Sequence, residues 1–382
     1  MTAPFVLITT IRLFRRGGVQ AVTRDFAAAF AKRSWRVAVY APTLGPEADE
    51  LRPYAQVVSS LDEIEDTPDI IHGQQHPTIL PALVRFPDTP AVQFCHNAEA
   101  WDDMTILLER ISRHIAVDGR CLDRVVAESG LSPDAVVLLP NAVDLARCIP
   151  RGPLPERPAK ALIVAHQGNE HLDTVLKACR RAGLEAQMVG SYAGRVSNAL
   201  EQEMAGADIV FGCARVALEA IAVGCAVVVC DAGLVAGMAK LDNFDSWRRE
   251  NFGRRLVTKP VTEDVILEAL ADYDAQDATA LSAKVREECN LDRATDRLEA
   301  LYRDVILEQR EGPPLDRAKE ARAIANYLTQ WLPSEFQKGP YGQAAENLWI
   351  EAQQLRAKLD GLTAELARKG LRVKFQNQPS GN

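Results

Sequence analysis

The sequence predicts an α/β protein: two doubly wound domains facing a cleft, followed by a helical extension with a coiled-coil segment. Three observations lead there. Short apolar runs such as Phe5–Thr10, Ala91–His96 and Val227–Cys230 alternate with stretches of helical periodicity over residues 1–309. Runs that are apolar on both faces belong to parallel sheets covered on both sides. Residues 150–158 hold four prolines in nine positions, the composition of a linker between two such units. The expected boundaries are 1–149 for the first domain, 150–158 for the linker, 159–290 for the second domain, 291–309 for an amphipathic helix, and 310–382 for the helical tail.

Composition bounds the function. The 382 residues are 47% hydrophobic and 25% charged, as expected of a globular chain of two or three domains. A net charge of −8 argues against a nucleic-acid binder, which needs a basic footprint. The eight cysteines form no Cys-x-x-Cys pair and several lie in apolar runs, as small buried hydrophobes of a reducing compartment do. Ala220–Cys230, the longest uncharged apolar run, falls short of the roughly 18–20 residues of a membrane span. With no basic segment before the first apolar run, a cytoplasmic protein is expected, with at most peripheral contact to the inner membrane face.

In the first domain, Phe5–Thr10 reads as a buried strand, and Gly17-Gly18 leads into a helix over Val19–Arg33, where Val22, Phe26, Phe30 and Ala31 recur at helical spacing. Ligands of open α/β sheets gather at the carboxyl ends of strands, which gives a Gly-Gly turn at this place more weight than elsewhere. Arg15 and Arg16 add positive charge or simply form a solvated face. Arg36–Ala41, Gln56–Val58 and Asp69–His72 read as further strands, with a helix near Thr78–Val84. His72 and His76 are four residues apart, but they straddle a strand end and lack an acidic partner at metal-site spacing, so no metal is expected. Ala91–His96 ends with His96 above the sheet crevice, placed for chemistry unless neighbouring backbone satisfies it. His114–Val117, a helix over Arg120–Ser129 and Val136–Leu139 complete the domain.

In the second domain Lys160–Ala165 is a strand, Leu172–Arg181 a helix and Glu185–Val189 a strand. Ile209–Phe211, the helix Arg215–Val223 and Val227–Cys230 then form a strand, helix and buried strand, with Gly212 at the turn and Gly224 closing the helix. Glu219 lies among apolar residues and needs a partner. One reading pairs it with Arg215, one turn earlier. The other has Gly212, Cys213, Ala214 and Arg215 at the helix N-terminus hold a phosphate while Glu219 takes a ribose.

The pattern Phe211-Gly212, then Leu218-Glu219-Ala220, Ala222, Gly224 and Val227-Val228 resembles the second-domain signature of GT-B glycosyltransferases, above all the retaining family-4 type. Pro140-Asn141-Ala142-Val143-Asp144 is similar to the Pro-Asn-Gly-Val-Asp that ends their first domain. The resemblance covers about residues 1–309 and implies two Rossmann-like domains, a nucleotide-sugar donor as substrate, a saccharide or lipid-linked acceptor and no cofactor. It implies that Gly17 and Gly18 approach the donor phosphates and that His96 contacts the donor sugar as the active-site histidine. The implied activity is retaining transfer to a hydroxyl, in surface polysaccharide or glycolipid synthesis.

The chain departs from the family at three places. His166-Gln167-Gly168 stands where an Arg and a Lys clamp the pyrophosphate, leaving His166, Arg195 and Arg215 as cationic replacements by position. Between Gly190 and Ala207 there is room only for a loop and one helix. Phe211, eight positions before Glu219, replaces a carboxylate that touches the donor sugar. These departures suit a non-catalytic subunit assembling through its tail; an epimerase or phosphorylase on the same fold is a third reading. Trp247–Arg255 is basic, facing an anionic acceptor, the donor phosphates or solvent. Leu291–Leu307 is amphipathic and matches the returning helix. In the tail, Leu348, Leu355 and Leu362, with Ala345, Ala352, Leu359 and Leu366, trace a heptad seam over 345–366. That seam is expected either to pair with a second copy or partner helix or to dock on the chain's own body.

Overall fold

The computed structural model describes residues 3–14, 17–165, 171–190, 193–195, 197, 199–329, 351–356, 358–359 and 362. The chain divides into two compact units, Met1–Glu320 and Ala321–Asn382. Both large sheets lie in the first unit.

The first domain runs β1 (Phe5–Thr9), β2 (Arg12–Leu13), α1 (Gly18–Lys32), β3 (Arg36–Tyr40), β4 (Thr43–Leu44), α2 (Pro46–Leu51), β5 (Gln56–Val58), β6 (Ile70–Gly73), α3 (His76–Arg85), β7 (Ala91–Cys95), β8 (Ile111–Ala116), α4 (Gly119–Ser129) and β9 (Val136–Leu138). Its parallel sheet has the order β5-β3-β1-β6-β7-β8-β9, while β2 and β4 pair separately. The strand order reverses between β1 and β6. Ligands of such sheets sit outside the carboxyl ends at that reversal, here the start of α1 and the segment after β6.

The second domain runs β10 (Lys160–Val164), α5 (Leu172–Arg181), β11 (Glu185–Val189), α6 (Leu200–Ala205), β12 (Ile209–Gly212), α7 (Arg215–Val223), β13 (Ala226–Asp231), β14 (Leu234–Met238), α8 (Phe244–Arg249), β15 (Lys259–Pro260), α9 (Glu263–Ala271) and α10 (Ala275–Glu288). Its sheet order is β11-β10-β12-β13-β14-β15. The parallel part reverses between β10 and β12, so the start of α7 is the corresponding ligand position. β13 and β12 carry no exposed residue, which is why their sequences show no polar alternation. β14 and β15 are antiparallel additions that sequence periodicity did not reveal. Asp274 caps α10 by accepting from the backbone N–H groups of Gln276 and Asp277 at 2.8 and 3.0 Å.

After α10 the chain returns to the first domain as α11 (Leu291–Glu311), longer than the amphipathic stretch read from sequence. Asn290 caps it. Ala294, Leu298, Tyr302 and Val305 enter the core of the first domain, and the Tyr302 ring stacks on Phe30 at 5.4 Å. Past Gly312 the chain stays on the first domain as far as Glu320. There Arg110, 1% exposed, donates from Nε to Glu320 at 2.6 Å, from Nη1 to the carbonyls of Phe86 and Thr89, and from Nη2 to that of Leu83.

In the second unit, residues 321–329, 351–356, 358–359 and 362 are helical. Leu355, Leu359 and Leu362 of the expected seam are 58%, 46% and 57% exposed. Ala345, Leu348 and Leu366 lie outside the described residues. Among the described residues no helix is long and apolar enough to cross a membrane.

Candidate functional site

The two switch points face one cleft. A small cavity there is lined by Asp25 and Phe26 of α1, Phe94 and His96 at the end of β7, Asn141 of the connection between domains, and Arg215 of α7. His96 and Arg215, read from sequence on opposite domains, therefore meet at one opening. Asp25 was missed. Its signal was the one that drew attention to Glu219, a carboxylate between Val22 and Phe26 on an apolar helix face.

Asp25, Arg215 and Glu219 form a buried charge cluster across the cleft. Arg215 pairs with Asp25, and its Nε lies 2.7 Å from Glu219 Oε1. Arg24 adds a 2.8 Å contact to Asp25. Burial raises the pKa of the Asp25 carboxyl, but Arg215 and Arg24 together outweigh it and hold the group below its ordinary value. For Glu219 burial wins over Arg215, helped by the nearby Asp25 charge, and its pKa is raised. Burial works against charge on Arg215, yet Asp25 and Glu219 reverse this and raise its pKa. Arg147 borders the cluster while bonded to Glu201 at 2.8 Å.

The start of α7 is tightly built. A Cβ on Gly212 would come within 2.5 Å of Val216, so only glycine lets strand and helix pack this closely. Ala214 holds φ 52° and ψ −125°, a conformation open to glycine and strained for alanine. Its N–H donates to the Phe252 carbonyl at 2.7 Å, and Cys213 Sγ lies 3.5 Å from the same oxygen. Asn251 and Phe252 also have positive φ, so three of the five such non-glycine residues among those described cluster here. Strain of this kind costs roughly 1–3 kcal/mol per residue. Ala214→Gly should therefore raise stability by about 1 kcal/mol after the entropy of the added glycine is subtracted. A melting temperature that stays level or falls would show the turn to be relaxed.

Most of the basic segment Trp247–Arg255 is tied into the fold, while Arg249 at the last turn of α8 is exposed, as a solvated helix end would be. Phe252 is fully buried, Arg248 donates to the Pro140 carbonyl at 3.2 Å, and Asn251 Oδ1 accepts from the Asn141 N–H. Arg254 bridges Asp231 at 2.8 Å and Glu99 at 3.1 Å, and Arg255 pairs with Asp123. These contacts tie the second domain to the first along the cleft edge.

On the first-domain side, the backbone N–H of His96 donates to Asp103 Oδ1 at 3.0 Å, and the ring Nε2 meets Gln74 Oε1. Burial pushes its pKa down to about 4, so the ring is neutral at pH 7. Burial, together with the Asp102 charge, pushes Asp103 up to about 8. Asp102 accepts from Gln75 Nε2 at 3.3 Å, and Gln75 Oε1 accepts from Thr10 Oγ1 and the Ile11 N–H, both at 3.0 Å. Gln74, Gln75, Asp102 and Asp103 carried no motif in the sequence; strand β6 and the turn Trp101–Asp103 bring them together. His76 opens α3 and contacts the Trp101 carbonyl at 3.0 Å, while His72 lies in β6, both fully buried.

Gly17 and Gly18 sit at the start of α1. A Cβ on Gly18 would meet nothing within 4 Å, and one on Gly17 only the flexible end of Gln20, so packing among the described residues does not demand either glycine. Arg195 is turned away to Glu203 at 2.6 Å. Phe211, at the position of the absent carboxylate, is fully buried in the second-domain core. His166, Arg15 and Arg16 lie outside the described residues.

Comparison with known proteins agrees with this architecture. Residues 16–147 match the profile of Glycosyltransferase Family 4. A search of curated proteins finds no match. Among solved structures, a glycosyltransferase from Rickettsia africae ESF-5 superposes with a TM-score of 0.57 at 10% identity, over 80% of this chain and 99% of that one. The catalytic domain of Starch Synthase IV from Arabidopsis thaliana, bound to ADP and acarbose, gives 0.53 at 10% identity, over 80% of this chain and 100% of that one. At such identities the likeness establishes the fold, which is GT-B.

Proposed function

We propose that this GT-B chain transfers a sugar from a nucleotide-sugar donor to a hydroxyl acceptor. The observation that carries the reading is the meeting of His96, from the carboxyl edge of the first sheet, with Arg215, from the start of α7, at one cavity. In this reading the start of α7 and Arg215 take the diphosphate, Glu219 takes the ribose, and Gly17 and Gly18 leave room for the donor phosphates. Arg195 and His166 are further candidates for the phosphates. His96 faces the sugar. The reading takes a saccharide or lipid-linked acceptor, retaining transfer and no metal, and the first-domain match to Glycosyltransferase Family 4 supports its coarser part, glycosyl transfer.

A second reading, a non-catalytic subunit, is favoured by one specific feature. Arg215 is already committed to Glu219 and Asp25, and the Ala214 N–H to Phe252. A donor must displace those contacts, whereas a scaffold keeps them.

A thermal-shift screen against nucleoside diphosphates and nucleotide-sugars separates the two. A true ligand at about 100 times its Kd adds about 2.7 kcal/mol of stability. No shift with any of them would favour the subunit. For His96→Ala, the transferase reading expects single-turnover transfer to slow by about tenfold or more while nucleotide affinity stays within about twofold. Transfer at the parent rate would remove His96 from the site.

A further inference from the structure

Ion pairs cross the cleft at three places among the described residues, and in each the second domain supplies the arginine and the first domain the carboxylate. Arg215 meets Asp25, Arg254 meets Glu99 at 3.1 Å, and Arg255 meets Asp123. The Glu99 and Asp123 side chains are 56% and 64% exposed, and ion pairs at such positions are worth little. Those of Asp25 and Arg215 are only 3% and 12% exposed, so theirs is the pair with energetic consequence.

The partners of this buried pair are arranged to survive its loss. Arg24 holds Asp25 Oδ1 from within the first domain, with Nε at 3.1 Å and Nη2 at 2.8 Å, whereas Arg215 reaches across the cleft to Oδ2. Within the second domain Arg215 keeps Glu219, one turn along α7, at 2.7 Å. Breaking a buried ion pair is costly when it leaves a charge without a counter-charge. Here neither side is left so. The replaceable contact is the one from Arg215 Nη2 to Asp25 Oδ2, and a phosphate oxygen offers that nitrogen the same charge-assisted bond that the carboxylate does.

We propose that Asp25 is an internal competitor for an anionic ligand of the cleft: it occupies on Arg215 the place of a phosphate oxygen and thereby sets how tightly a diphosphate is held. The proposal rests on the reading in which Arg215 takes the diphosphate. Apparent affinity falls by the fraction of molecules whose binding group is available, so an Arg215 released in about one molecule in ten binds about tenfold more weakly than its intrinsic affinity.

Calorimetry of the full-length chain with pyrophosphate, at fixed ionic strength, tests this. Asp25→Asn keeps the shape of the side chain and removes the competing charge, and pyrophosphate should then bind about tenfold more tightly than to the parent. Glu99→Gln removes the same charge from the rim of the cleft and should change the affinity by less than about twofold. Adding Arg215→Met to Asp25→Asn should abolish the gain. No gain in Asp25→Asn, an equal gain in Glu99→Gln, or a gain that survives Arg215→Met would overturn the proposal. Both arginines keep a carboxylate in Asp25→Asn, Glu50 at 3.4 Å from Arg24 and Glu219 at 2.7 Å from Arg215, so the variant is expected to fold. If it and Asp25→Ala both fail to fold, the pair is structural and the proposal falls. The expected gain, with no nucleotide-sugar bound by parent or variant, would sink the transferase reading and leave the competitor standing. Sugar transfer by a chain whose pyrophosphate affinity ignores Asp25→Asn would do the opposite.

Discussion

Arg110→Met is expected to lower stability by roughly 3–5 kcal/mol, the range found when one partner of a buried ion pair is removed. The guanidinium holds Glu320 at 2.6 Å and donates to three carbonyls, of which Leu83 and Phe86 lie at the last turn of α3. A cation there also meets the negative end of the helix dipole. The methionine fills similar space but leaves the buried Leu83 and Thr89 carbonyls and a carboxylate that is 6% exposed without their partner, while the Phe86 carbonyl keeps the Thr89 N–H at 3.2 Å. Urea unfolding should show the loss as a lower midpoint. Adding Glu320→Leu should recover part of it, because the orphaned charge goes too. A loss below about 1 kcal/mol would mean that water or a side-chain shift satisfies the site.

Acid should destabilise the protein well above the ordinary carboxylate range. Burial depresses His72 to about 3 and His76, His96 and His114 to about 4. The unfolded chain binds these protons near pH 6.5, the folded chain only below 4, so each histidine loses stability as pH falls through that window. Each contributes a slope of about 1.4 kcal/mol per pH unit. Asp103, raised to about 8, works the other way, since the folded state already holds its proton. Asp102 and Glu219, also raised by burial, oppose in the lower part of the window. The net expectation is a loss of roughly 3–4 kcal/mol per unit between pH 6 and 5, a large share of a typical 5–15 kcal/mol. Melting curves from pH 7 to 5 test it; a flat or rising melting temperature would show that the histidines are hydrated.

The sequence made the sheet-and-helix frame legible wherever burial was two-sided. Leu172–Arg181, Glu185–Val189 and Arg215–Val223 were read with the bounds they have in the structure, because an apolar run or stripe leaves few alternatives. β14 and β15 were not read: Leu234–Met238 mixes exposed and buried residues on an antiparallel edge without clean alternation. The candidate site was legible only as single residues that stand out, not as a geometry. His96, Arg215 and Glu219 stood out as polar groups in apolar settings, and Asp25 offered the same signal unnoticed. Gln74 and Asp103 gave none, since their roles come from which strand ends the topology brings together. The segment Trp247–Arg255 looked basic and free because sequence shows charge and hides the partners: Asp123, Asp231 and Glu99 are all distant in the chain.

The return of α11 also sets an order of assembly on the ribosome. The second domain has its whole sheet and α10 by Glu288, whereas the core of the first takes Ala294, Leu298, Tyr302 and Val305 from a helix made after it. The apolar residues of α1 that α11 covers therefore wait for about 150 residues beyond the linker to be synthesised, on the order of 8–30 s at roughly 5–20 residues per second. The N-terminal half is thus the later one to be finished, and during that interval the apolar face of α1 is open for a chaperone to hold.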